Sequence, residues 1–169
     1  PPAVPDGMVA DLRPYQHEGF HFLAFLSENK FGGILADDMG LGKTIQTLAW
    51  LLWLSASRAG KRKQPFRVLV VCPKSVVVNW QLETARFAPA LGTTAFTSAL
   101  VTPATGAKSG PQLAAFDTPL LIANYTQLRL HAEAFAAATW DAVILDEGQN
   151  IKNPASATAQ AARALRTAQ

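Results

Sequence analysis

Four short runs of apolar residues punctuate the chain: Gly33-Ile34-Leu35-Ala36, Arg67 to Cys72, Pro119 to Ala123 and Asp141 to Leu145. Runs of that length, bounded by turn residues, are the pattern of strands buried on both faces of a parallel sheet. Between them, apolar residues recur at helical spacing. From Leu12 to about Asn29, Tyr15, Phe20, Phe22, Leu23, Phe25 and Leu26 give one helix a broad apolar side. Asp11 is its candidate cap and Pro14 stands near its first turn. Thr44 to about Ser57 predicts a second helix, whose Ile45, Leu48, Leu51, Leu52 and Trp53 would pack on a sheet. Ser75 to Phe87 predicts a third, with Val78, Leu82 and Ala85 inward. Tyr125 to about Ala138 holds one or two helical pieces, and Asn153-Pro154 caps a final helix by the preference of proline for the first helical position. Residues 92 to 111 are rich in Gly, Thr, Ser and Pro. They predict a short strand near Ala99-Leu100-Val101 and a loop, before a helical turn over Leu113 to Phe116. Residues 1–11 read as a lead-in segment and 12–169 as one domain. Strands alternating with helices predict an α/β fold with a mainly parallel sheet covered on both faces.

Composition narrows the class. A chain of 169 residues with 49% hydrophobic and 16% charged positions suits one well-cored globule rather than a disordered segment. The formal charge of +3 permits a polyanionic partner without demanding one. Lys61-Arg62-Lys63 reads as a solvated loop, with nucleic-acid contact as the alternative. Cys72, the single cysteine, excludes an internal disulfide and a cysteine-rich zinc site; inside VLVVC it reads as a buried small hydrophobe. No apolar run approaches a membrane span, and PPAVPDGMVADL lacks the basic-then-apolar order of a signal peptide. The expected compartment is the cytoplasm, at the nucleoid if the alanine-rich composition marks a GC-rich bacterial source.

Residues 33 to 48, GGILADDMGLGKTIQT, carry the first candidate chemistry. A short strand, a glycine-punctuated turn and a helix beginning at Lys43 form the context of a phosphate-binding loop. Gly40 and Gly42 can turn several amide N–H groups toward one point, and the helix adds the positive end of its dipole. Lys43 supplies a charge for the outer phosphates and Thr44 a hydroxyl for Mg²⁺. Asp37 occupies the position where the G-x-x-x-x-G-K-[ST] pattern has its first glycine; Asp38, Met39 and Leu41 complete the turn.

The second signal is VILDEGQ at residues 143 to 149. An apolar strand delivers Asp146 and Glu147 at its carboxyl end, where ligands collect in open α/β sheets. Asp146 would hold Mg²⁺ through water, and Glu147 would polarise the water attacking a γ-phosphate. Lys43, Asp146 and Glu147 are thus the candidate catalytic set, with ATP and Mg²⁺ as the implied ligands.

LRPYQHEGFHFL, GGILADDMGLGKTIQTLAWL, VLVVCPKSVVVNWQLETARF, LIANYTQL and VILDEGQNIKNP resemble, in order, the first motif blocks of the Swi/Snf-like ATPases. That family comprises chromatin remodellers and related double-stranded DNA translocases within helicase superfamily two. The resemblance covers most of the chain and implies a RecA-like lobe. It assigns Gln16 to the adenine edge, where an amide donates and accepts at once, and Gln149 to a bridge between nucleotide and neighbouring motif; many relatives have histidine there. It assigns Pro73, Lys74 and Ser75, with Asn124, Tyr125 and Thr126, to the DNA backbone, as suits lysine, hydroxyls and strand-end amides. Trp80 reads as helix packing rather than a base-stacking platform. The resemblance also implies a second RecA-like lobe in cis that completes the ATP site, and a further strand block expected just after Gln169. These residues alone are then expected to hydrolyse ATP negligibly. Unpaired strand edges would invite an exchange dimer, a rearranged sheet or a partner strand from elsewhere in the chain.

Three alternatives compete. Another superfamily-two DNA or RNA helicase would share every phosphate-handling residue, although DDMGLGKT and NIKNP favour the translocase. A silent docking module would keep the fold without the chemistry. His17-Glu18-Gly19-Phe20-His21 also spells the H-E-x-x-H zinc-peptidase motif, with Glu28, Glu83 or Glu133 as a conceivable third ligand. That pentapeptide lies inside the adenine-reading block, which accounts for Gln16, Glu18 and Gly19 differently.

Overall fold

A computed structural model describes residues 1–33, 42–106 and 109–168. The predicted strand over Gly33 to Ala36 falls largely outside them. The described chain forms two compact units, Pro1–Pro65 with Leu82–Gly92, and Phe66–Gln81 with Thr93 onward.

The first unit is built on two helices, α1 (Pro14–Glu28) and α2 (Lys43–Arg58), packed against each other. Proline opens α1 as expected, but Asp11 is not the cap. Arg13 holds that place, and its backbone N–H donates to Gln16 Oε1 at 2.8 Å, so the glutamine one turn on closes the helix start. The buried stripe of α1 is Gln16, Gly19, Phe20 and Ala24, narrower than its apolar composition suggests. Tyr15, Phe22 and Phe25 are exposed. Gly19 permits close approach to α2: a β-carbon there would run into the side chain of Gln46. Trp50 Nε1–H donates to Ser27 Oγ at 2.8 Å, tying the helices a second time. The lead-in segment is hydrogen-bonded through Val9 N–H to Phe87 O at 2.7 Å.

The second unit contains a parallel sheet in the order β2-β5-β1-β7, with β1 (Val68–Cys72), β2 (Thr93–Ala95), β5 (Leu120–Asn124) and β7 (Ala142–Leu145). The expected α/β class with a mainly parallel sheet is thus present. Central β1 is buried at every position, which is why its sequence shows no polar alternation. Asp141 sets its register against β7: Arg67 N–H donates to Asp141 Oδ2 at 2.8 Å, and Asp141 N–H returns to Arg67 O at 2.7 Å. Among the described residues β7 has one sheet neighbour, β1, and its Val143, Ile144 and Leu145 are only half-buried. Helices α4 (Tyr125–Leu130), α5 (Ala132–Ala137) and α6 (Ala157–Arg163) pack on one another, and the core joins Leu69, Val71, Leu121, Leu128, Phe135 and Trp140. Two short ladders complete the unit: β3 (Val101–Thr102) with β4 (Gln112–Leu113), and β6 (Thr139–Trp140) with β8 (Arg166–Thr167).

Several local expectations are corrected. Gln112-Leu113 is a strand paired antiparallel to β3, not the start of a helical turn, and Ser98–Leu100 is a single 3₁₀ turn leading into β3. The final helix starts later than Pro154, because Ser156 Oγ accepts the Ala159 N–H at 3.1 Å while Asn153 Oδ1 is used on Ala155 N–H. Helix α3 (Val77–Phe87) turns the opposite face inward: Trp80 and Thr84 are buried, whereas Val78 and Leu82 are exposed. Residues four apart share a face, and the face carrying the bulky indole is the one that buries more apolar area.

Candidate nucleotide and nucleic-acid site

In the first unit the described part of the phosphate loop is Gly42, Lys43 and Thr44; Asp37, Asp38, Met39, Gly40 and Leu41 lie outside the described residues. Gly42 is the N-cap of α2, with φ 106°, a left-handed backbone that a glycine adopts without strain. Having no side chain it cannot cap the helix itself, so the leading amides of α2 are left for another acceptor. Gln16 is buried against this turn, and a β-carbon on Gly42 would meet its Nε2 and, at 3.3 Å, the Tyr15 hydroxyl. Because Arg13 N–H donates to Oε1, the amide orientation is decided by chemistry: oxygen toward the helix start, nitrogen toward Gly42. Among the described residues Nε2 is given no acceptor, and Oε1 has a second lone pair. A side chain at position 42 would collide with the Gln16 amide, so glycine lets that amide and the opening turn of α2 lie against each other.

In the second unit the parallel strands bring three turns to one edge of the sheet. Cys72 pairs with Asn124 and Val71 with Leu145, so Pro73-Lys74-Ser75, Asn124-Tyr125-Thr126 and Asp146-Glu147 all leave the carboxyl edge. Lys74, Ser75 and Thr126 are exposed; Pro73 is half-buried. Asn124 is occupied as the cap of α4, its Oδ1 accepting Gln127 N–H at 2.8 Å while Gln127 Oε1 accepts Asn124 N–H at 3.0 Å. Tyr125 points inward, and its hydroxyl donates to Asp146 O at 2.7 Å. Asp146 is half-buried; its N–H donates to Val71 O at 2.8 Å and its Oδ2 accepts Trp80 Nε1–H at 2.9 Å. Glu147 and Gln149 are exposed. The backbone of Glu147 is left-handed (φ 52°, ψ 54°), uncommon for a residue with a β-carbon and frequent where a side chain must be aimed. A half-buried carboxylate with one oxygen engaged, followed by an exposed acid, is a donor set suited to Mg²⁺ and its water shell.

The electrostatics follow from that crowding. Burial, then the charges of Asp146 and Glu147, push the Cys72 thiol up to about 12. Burial and the same two acids, Asp146 first, raise the Tyr125 phenol as well. Both groups therefore stay protonated at neutral pH, and the Tyr125 hydroxyl remains a donor.

The decisive comparison is with a family model, the SNF2-related domain, which matches residues 15–169. The chain belongs to the SNF2-related domain family. YwqA of Bacillus subtilis is 39% identical over 157 residues, which is 92% of this chain and 16% of that protein. Helicase SWR1 of Eremothecium gossypii is 38% identical over 151 residues, 89% of this chain and 10% of that protein. The Sulfolobus solfataricus SWI2/SNF2 ATPase core in complex with double-stranded DNA superposes with a TM-score of 0.77 at 33% identity, covering 98% of this chain and 32% of that one. The SNF2-related chain thus has the RecA-like α/β fold of that core and spans a minor part of the relatives it matches.

Membership places H-E-x-x-H within α1, and the geometry agrees. The His17 and His21 ring centroids are 6.0 Å apart, but His21 Nε2 lies 3.0 Å from Pro2 O, which demands a proton there rather than a lone pair for a metal. Among the described residues no group of three His, Cys, Asp or Glu side chains comes together as a metal site. Sequence reasoning missed the partners of Asp146. A tryptophan in a helix otherwise rich in exposed positions signals a buried indole N–H in need of an acceptor, but does not say which.

Proposed function

We propose that this SNF2-related domain is the ATP-binding lobe of a DNA translocase that steps along duplex DNA by hydrolysing ATP. The observation that carries the reading is the meeting of an engaged acid, Asp146, with the exposed Lys74, Ser75 and Thr126 on one carboxyl edge of a parallel sheet. Chemistry on a phosphate anhydride and grip on a phosphate backbone there share one rigid frame. Gln16 reads the adenine edge through its Nε2 and the second lone pair of Oε1. Gly42 and the amides after it receive phosphate oxygens, with Lys43 neutralising their charge. Thr44 and Asp146 would each offer an oxygen to Mg²⁺, which when bound would offset charge on the phosphates; Glu147 would orient the attacking water and Gln149 would bridge toward the neighbouring motif. Lys74 and the hydroxyls of Ser75 and Thr126 hold DNA phosphates without reading sequence. Asn124 and Tyr125 shape that turn from within.

Support comes from family membership and from the named function of relatives matching 89% or more of this chain. A second RecA-like lobe in cis would supply the remaining charge on the transferring phosphate. Among the described residues β7 has β1 as its one sheet neighbour; without the further strand block expected beside it, that edge favours a strand-exchanged dimer, which light scattering would register as twice the chain mass. The direct test is ATPase activity of a two-lobe protein containing these residues, with and without duplex DNA, beside Lys43→Ala. DNA-stimulated hydrolysis abolished by that substitution supports the proposal; hydrolysis indifferent to both DNA and Lys43 would refute it.

A further inference from the structure

Asp146 is held at three atoms by groups from three elements. Its N–H donates to Val71 O of β1 at 2.8 Å, its backbone oxygen accepts the Tyr125 hydroxyl of α4 at 2.7 Å, and its Oδ2 accepts Trp80 Nε1–H of α3 at 2.9 Å. An aspartate's last torsion is ordinarily broad, so a free carboxylate samples many directions. An indole N–H is a donor only and does not titrate, so it fixes one oxygen and thereby the direction of the other. Trp80 is 3% exposed and Tyr125 8%, so water does not compete for either bond.

We propose that Trp80 and Tyr125 are positioning residues that aim the Asp146 Oδ1 at the metal, an inference resting on the reading of Asp146 as the Mg²⁺ acid. Tyr125 fixes the main chain and Trp80 the side chain. The Tyr125 bond also anchors the residue just before the left-handed turn that carries Glu147, so the same pair presents both acids. Outer-sphere partners of this kind typically change metal affinity by about 10–100-fold when lost. Tyr125 lies within one turn assigned to the DNA backbone, between Asn124 and Thr126, and Trp80 lies on α3, the helix that follows the other, Pro73-Lys74-Ser75. The clamp therefore ties the acid to those turns.

The test uses Mn²⁺ with ADP as the probe, free Mn²⁺ being read by electron paramagnetic resonance on the full 169-residue chain. Trp80→Phe keeps a ring but loses the donor, and Tyr125→Phe removes one oxygen; each is expected to weaken Mn²⁺ binding about tenfold. ADP affinity without metal should change less than about twofold, since the proposed role of both residues acts through the Asp146 carboxylate and the metal. Asp146→Asn should abolish the metal effect, and Trp80→Phe added to it should cost nothing further. In a ¹⁵N-labelled sample, Asp146→Asn should move the Trp80 indole cross-peak more than those of Trp50, Trp53 and Trp140. If Asp146→Asn loses Mn²⁺ while Trp80→Phe and Tyr125→Phe both stay within about twofold of the parent, the positioning role is wrong and the metal reading stands. If the parent and Asp146→Asn bind Mn²⁺ alike, or neither binds, the metal reading falls and takes this inference with it. Tyr125→Phe keeps the test decisive should the buried Trp80 variant fail to fold.

Discussion

The amide nitrogen of Gln16 stands where a β-carbon on Gly42 would go. One residue thereby serves two elements: its oxygen closes the start of α1, and its nitrogen packs under the turn that opens α2. Space and backbone angle together leave glycine as the residue that fits.

Gly42→Ala should therefore cost about 1–3 kcal/mol in urea unfolding and weaken ADP binding, because both a left-handed backbone and a steric clash oppose it. The two causes separate in Gly42→Ala combined with Gln16→Ala, which removes the clash and keeps the φ of 106°. Partial recovery of stability is expected. A double variant no more stable than the sum of the two singles would place the whole penalty on the backbone.

Stability should fall at alkaline pH. The Cys72 thiol, ordinarily near 9, is pushed to about 12 in the folded chain, and Tyr125 moves in the same direction. Between those values the folded state holds a proton that the unfolded state has released, so stability is fully present below pH 9 and drains away as pH rises toward 12. Urea midpoints between pH 8 and 11 should decline, and Cys72→Ala should flatten the decline. The native thiol should resist a disulfide reagent at pH 8 and react once urea is added. Rapid native modification would show that the thiol is neither buried nor suppressed.

On their own these residues should hydrolyse ATP negligibly, with or without duplex DNA. They span 32% of the Sulfolobus ATPase core, and charge placed on the transferring phosphate from outside a lobe is worth orders of magnitude in rate. Phosphate release by the purified 169-residue chain, compared with Lys43→Ala, measures this directly. Robust turnover sensitive to that substitution would mean the chain completes its own site, by self-association or otherwise.

How far the molecule was legible from its residues varies by element. β1, β5 and β7 were readable as short unbroken apolar runs; β1 is buried at every position and β5 at all but its last, while β7 keeps the apolar run although three of its positions are half-buried. Family blocks carried Gln16 and the strand-end turns. The two-residue strands β4, β6 and β8 left no trace, since a ladder that short has no period to detect, and β3 was placed only to within two residues. The start of α6 was misjudged because Asn153 and Ser156 are both competent caps, and only packing chooses between them. Tyr125 illustrates the limit within the site. Its block marks the right turn, but whether its hydroxyl faces outward or toward Asp146 depends on contacts far away in the chain.

Helix α3 offers the sharpest check of a face that residue type alone misassigned. Val78, Leu82 and Ala85 share one side at helical spacing, while Trp80 and Thr84 share another, so both faces have an apolar pattern. Val78 and Leu82 are 62% and 65% exposed, against 3% for Trp80. Val78→Glu and Leu82→Glu should each change stability by no more than about 0.5 kcal/mol, as exposed substitutions usually do. Trp80→Ala should cost about 3–5 kcal/mol from the void and the lost packing of a large ring. It should also strand the Asp146 Oδ2 without its donor, so it should affect metal binding beyond what stability explains. Urea midpoints for the three variants decide the matter: a large loss at Leu82 with little at Trp80 would mean the helix is rotated from the orientation described, and the indole bond to Asp146 would go with it.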